Sequence, residues 1–171
     1  LGLLVSFTDA VGARADIERA REELERLVRD EDTNVELLFD LAVLHQHLAG
    51  TYRHDDRPRD AARELRRAID LFERMLARDP ANLDWVEGLS HSWRLLADIQ
   101  IDAGDAEGAE ASLRSMIATH AALVTQDPMN VRWSAELTRG QHSLARLLES
   151  LGRYEEGITV LEAMADLRLQ L

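Results

Sequence analysis

The chain has 171 residues, 46% of them apolar and 30% charged, with 32 acidic against 20 basic side chains and a formal net charge of −12. It is too apolar for a disordered tail. Its apolar runs last only a few residues, against the roughly 18 that a membrane-crossing helix needs, so neither a membrane partner nor a membrane span is expected. Nine glycines, three prolines and 5% aromatics are too few for the many turns and strands of a sandwich or barrel. What remains is an all-α chain.

In chain order, helices are expected at about 1–8, 11–30, 33–54, 58–78, 81–103, 106–126, 129–151 and 154–170, about eight in all. Apolar residues recur at helical spacing in each, for example Leu37, Leu38, Leu41, Leu44, Leu48 and Tyr52, or Leu65, Ala68, Ile69, Phe72, Met75 and Leu76. Breaks fall at Asp79-Pro80 and Asp127-Pro128, and at Gly104-Asp105 and Gly152-Arg153, with Asp105 a fair N-cap. Pro58 occupies a first-turn position, where its missing N–H is not needed. The chain begins at Leu1 without methionine and reads as a piece of a longer protein.

A repeat organises these helices. Asn34, Asn82 and Asn130 lie 48 residues apart, and the register then holds without a gap: Leu41, Leu89 and Leu137; Leu48, Leu96 and Leu144; Ala49, Ala97 and Ala145; Leu65, Leu113 and Leu161. Carried backwards, the offset sets Ile17 on Leu65 and Leu24 on Phe72. The organisation is therefore one helical-repeat domain over 1–171, a partial repeat at 1–33 followed by repeats at 34–81, 82–129 and 130–171. Apolar residues at both ends, Leu1, Leu3, Leu4 and Phe7, then Leu161, Met164, Leu167 and Leu171, lack the polar cap of a terminal repeat. They are expected to continue into flanking sequence or to be covered by self-association.

Trp93-x-x-Leu96-Ala97, Gly104, Ala109-x-x-x-Leu113 and Pro128 resemble the tetratricopeptide pattern, and Leu144-Ala145 through Gly152-Arg153-Tyr154 and Gly157 follows it more closely. The period of 48 exceeds the usual 34, with 24 residues in each leg, so the chain resembles a long-helix variant in which each helix has gained about two turns. The resemblance implies a right-handed αα superhelix, a tetratricopeptide-like solenoid of antiparallel helix pairs, as in bacterial multidomain signalling proteins. It implies an architecture strongly and a chemistry weakly.

No catalytic constellation stands out. His45 and His47 are about 200° apart around a helix and cannot share an ion, and His54-Asp55-Asp56 reads as a solvated helix end. No phosphate loop, dinucleotide fingerprint or G-x-S-x-G elbow occurs, and the chain lacks both lysine and cysteine. Trp85, Trp93 and Trp133 read as packing residues. Arg59, Arg63, Arg66, Arg67 and Arg74 are interleaved with Asp60, Glu64, Asp70 and Glu73 and read as a solvated helix face. The acid surplus also argues against nucleic acid as a partner.

The expectation is thus a noncatalytic protein or peptide interaction scaffold, or a sensor or regulatory module of a larger bacterial signalling protein. It would be cytoplasmic and without cofactor or metal. A small-ligand sensor controlling a linked effector is the alternative, and a helical metal-dependent hydrolase a remote one. By the resemblance, partners meet polar positions of the first helix in each pair: His91, Arg94, Asp98 and Asp102, then Arg139, His142, Arg146 and Glu149. Arg94, Arg139 and Arg146 would favour a carboxylate or acidic peptide, unless they pair with Asp98, Asp102 and Glu149 across neighbouring helices.

Overall fold

The computed structural model describes residues 10–30 and 34–170. Among them all regular structure is helical: α1 (Ala10–Asp30), α2 (Val35–His54), α3 (Pro58–Leu76), α4 (Leu83–Asp102), α5 (Ala106–Gln126), α6 (Val131–Ser150) and α7 (Tyr154–Gln170). These seven match the expected helices from 11 onward. The helix expected at 1–8 lies outside the described residues, as do Leu1, Leu3, Leu4, Phe7, Leu171 and the side chains of Met164 and Leu167.

The 48-residue spacing has a structural cause at three places. The asparagines are helix N-caps: Asn34 Oδ1 accepts from the Glu36 and Leu37 amides, Asn82 Oδ1 from Trp85, and Asn130 Oδ1 from Trp133. Each satisfies amides that the first helical turn leaves without partners. The aspartate three residues earlier sets up the turn, since Asp79 accepts from Ala81 and Asp127 from Met129. At the other end of the same helices the chain turns through left-handed backbone at Asp56 (φ 55°), Gly104 (φ 73°) and Gly152 (φ 75°). In each turn the following amide closes on the helix: Arg57 N to Tyr52 O, Asp105 N to Gln100 O and Arg153 N to Leu148 O, all at 2.8–2.9 Å. That is the Schellman closure repeated in register, with Asp56 the one departure from glycine.

The chain separates into two compact units, Leu1–Ser92 and Trp93–Leu171, the division falling inside α4. In the first, α2 buries Leu38, Leu41, Leu48 and Ala49, and α3 buries Ala61, Leu65, Ala68, Phe72 and Met75. Phe72 meets Phe39 edge to face at 6.1 Å. Gln46 of α2 ties α4 by donating to Gly88 O (2.9 Å) and Ser92 Oγ (2.8 Å), and Tyr52 donates to Glu18 of α1 at 2.8 Å. In the second unit Ala97, Ala109, Leu113, Leu144, Leu147 and Leu148 form the core. Arg153, in the turn before α7, bridges to Glu110 of α5 at 2.5 Å and to Glu156 at 2.6 Å; Arg153 and Arg114 together hold the Glu110 carboxyl below its ordinary range.

Candidate functional site

The eight positions expected to face a partner separate into distinct surroundings. His91 and Asp102 are exposed on α4, and half-buried Arg94 points its guanidinium at Asp98 one turn along the same helix, at 3.3 Å. On α6, exposed Arg139 pairs with Glu136 at 2.9 Å. His142, Arg146 and Glu149 line one cleft of about 240 Å³, whose other wall is Tyr154, Ile158 and Leu161 of α7. Tyr154 and Ile158 are 62% and 55% exposed, an apolar strip beside a charged one. Arg94 and Arg139 are therefore each tied to an acid on their own helix, while Arg146 opens on the α6–α7 cleft. Of the tryptophans, Trp133 is buried, and Trp85 and Trp93 are half-buried.

Sequence reasoning missed a second site, formed by α1, α2 and α3. Its base is Glu64 of α3, fully buried, facing His45 of α2 with Nδ1 to Oε2 at 2.7 Å. Because a carboxylate can only accept, Nδ1 carries the proton in this contact. Three guanidiniums surround the same carboxylate: Arg67 at 3.4 Å, Arg63 at 3.5 Å and Arg21 at 3.7 Å. Burial pushes the Glu64 carboxyl up, but the His45 hydrogen bond and the charges of His45, Arg67 and Arg21 outweigh it and hold the group below its ordinary range. Arg21 Nε is buried without a hydrogen bond and lies 3.6 Å from Glu25 Oε1.

Above this base opens a pocket of about 500 Å³. Val28, Leu41 and Leu71 give it apolar surface, and His45 reaches it from beneath. Its charged walls are Arg29, Arg63, Arg66, Arg67 and Arg74 against Glu25 and Asp70. In a chain of net charge −12 this is a local cationic surplus. The α3 arginines are not a plain solvated face, because Glu64 stands at the inward spacing of Ala61 and Ala68 and draws them around it.

Among the described residues no three metal-ligating side chains converge, and no helix is long and apolar enough to cross a membrane. His54 and Asp55, 3.8 Å apart, are solvated at the end of α2.

Antiparallel helix pairs closed by one repeating set of caps, with charged and apolar clefts between helices, define a tetratricopeptide-like helical repeat of the protein-interaction or regulatory kind. The sequence profile of the bacterial transcriptional activator domain matches residues 39–168, and the chain belongs to that family. Solved structures share the fold, among them two with TM-scores of about 0.6. BtubC (BKLC) from P. vanneervenii has 15% identity and a TM-score of 0.61, over 98% of this chain and 67% of its own. A Podosopora anserina protein of kinesin-light-chain type, with nearly identical TPR-like repeats, has 19% identity and a TM-score of 0.58, over 94% of this chain and 72% of its own. No curated protein sequence matches the chain.

Proposed function

We propose that the chain is the protein-binding regulatory module of a bacterial transcriptional activator, acting in the cytoplasm where promoter DNA lies. It is noncatalytic, and DNA contact belongs to another part of the activator, since a surface of net charge −12 repels the phosphate backbone. The observation that carries this reading is the family match over 39–168. The α6–α7 cleft is the docking face: an amphipathic helix of a protein partner lays its apolar side on Tyr154, Ile158 and Leu161 and its polar edge along His142, Arg146 and Glu149.

The test uses the full-length activator carrying Arg146→Glu with Ile158→Glu. Reporter transcription is expected to fall while affinity for promoter DNA, measured by fluorescence anisotropy, stays within about twofold of wild type. Unchanged transcription would remove the cleft from the mechanism, and an equal loss of DNA affinity would turn it into a DNA-contacting face.

A further inference from the structure

We infer that the α1–α3 pocket is a binding site for a small organic anion carrying several phosphate charges, a ligand of nucleotide size. The first ground is the repeat itself. The register supplies, at each pocket position, the residue that the same fold uses elsewhere. Arg63, Arg67 and Arg74 correspond to Ala111, Ser115 and Ala122 one repeat later, and Arg29 to Ala77 and Thr125. Beneath them Arg21 corresponds to Ile69 and Ile117, His45 to Trp93 and Gln141, and Glu64 to Ser112 and Val160. Arg66 recurs as Arg114, and Arg67 and Arg74 stand where α1 has Arg19 and Arg26, but Arg21, His45 and Glu64 of the inner cluster have no charged counterpart in the later repeats. A buried ion cluster is at best a weak source of stability compared with apolar residues of similar volume, so its confinement to one unit needs a role that the other repeats lack.

The second ground is charge. Five guanidiniums face the pocket against two carboxylates, and Glu64 below is already engaged by His45 and Arg21. Arg63 has Asp60 at 2.8 Å and Arg74 has Asp70 at 3.9 Å, but Arg29 and Arg66 have no ion pair among the described residues. With Asp60 counted against Arg63, a surplus of two positive charges remains, which matches a compact polyphosphate and exceeds what one carboxylate supplies. Guanidinium forks bind phosphate oxygens in pairs.

The third ground is shape and lining. About 500 Å³ lies within the range of small-molecule sites, and the apolar surface of Val28, Leu41 and Leu71 gives the non-phosphate part of the ligand a place to bury. Arg63 and Arg74 are separated by 11 residues of one helix, about 16 Å of rise, so the phosphates and the apolar part need not compete for one end. The Glu64–His45 pair is a positioning base. It fixes Arg63 and Arg67 from below, leaving their remaining N–H groups for the ligand.

Isothermal titration of the whole chain at low ionic strength, with ATP, inorganic pyrophosphate, citrate and a glutamate-rich peptide as probes, tests the assignment. ATP is expected to bind, several-fold more tightly than pyrophosphate and more tightly than citrate or the peptide. Arg29→Ala with Arg66→Ala, both exposed and outside the buried cluster, is expected to weaken ATP by roughly tenfold or more with helicity and melting unchanged. Arg114→Ala with Arg139→Ala is expected to leave it unchanged. No binding of ATP, or binding indifferent to Arg29 and Arg66, overturns the proposal. Citrate matching ATP overturns the phosphate assignment, pyrophosphate matching it overturns the organic part, and a tighter peptide reassigns the pocket to a protein partner.

Discussion

Replacing Glu64 with glutamine keeps the side chain's length and one acceptor oxygen while removing the charge around which three guanidiniums and the His45 ring are arranged. Breaking a buried ion pair from one side costs about 3–5 kcal/mol, because the group left behind stays desolvated without its counter-charge. Here the surroundings differ in how far they can escape. Arg67 and Arg63 are 45% and 53% exposed and can turn to water, whereas Arg21 is 18% and His45 3% exposed and cannot. The amide still accepts from His45, so the loss belongs at the lower end, about 3 kcal/mol. With a urea slope of roughly 1–3 kcal/mol/M, the unfolding midpoint followed by circular dichroism should drop by about 1 M or more. The pH dependence supplies a sharper test. Glu64 is held below the ordinary carboxylate range, so its contribution is complete above that range and is lost as pH falls through the lower folded-state value. The gap between wild type and Glu64→Gln should therefore be full near neutrality and close in acid. The triple change Arg21→Ile, His45→Leu and Glu64→Leu, which replaces the whole cluster with apolar residues of similar volume, should recover most of the loss. A midpoint unchanged by Glu64→Gln, or a gap that stays open in acid, would refute the reasoning.

Other consequences follow from the caps and the packing. Gly88→Ala would bring a methyl group within 2.3 Å of the buried Phe72 ring; overpacking of this kind is expected to cost about 1–3 kcal/mol, read as a lower urea midpoint. Asp56→Gly places glycine where the register already has Gly104 and Gly152, and should stabilise the chain by about 1 kcal/mol in the same assay. Asn130→Ala removes an acceptor for the Trp133 amide and should cost about 1 kcal/mol, whereas Asn130→Asp should keep most of the stability.

The fold was legible because what the fold needs is what repeats. A gap-free register over three units exposes the layer leucines at 48, 96 and 144 and the glycines at 104 and 152, and each is tied to a buried or left-handed position in the structure. Helix ends from 11 onward were legible for the same reason, since turn chemistry is local and repeats with the unit. The asparagines marked the register before their role as caps was visible. The candidate site obeys the opposite rule. His142, Arg146 and Glu149 share a helix face by spacing alone and meet at one cleft, but Arg94 and Arg139 share a similar spacing and turn instead to acids on their own helices, a choice of rotamer that periodicity does not encode.

The arginine pocket escaped because the interleaving of Arg63, Arg66, Arg67 and Arg74 with Asp60, Glu64 and Asp70 satisfies the pattern of a solvated face. Whether an acid in such a run faces water depends on which side packs. That information was present: Ala61, Leu65, Ala68 and Phe72 set the inward stripe of α3, and Glu64, three residues after Ala61 and four before Ala68, falls within it. A carboxylate in an apolar stripe demands partners, and the sequence provides them where the repeat does not, at Arg21 in an isoleucine slot and at His45 where the later repeats have Trp93 and Gln141. In a repeat protein the shared residues describe the scaffold, so the functional search belongs with the residues of one unit that its neighbours replace. In this chain those residues are Arg21, His45 and Glu64, and they lie on α1, α2 and α3.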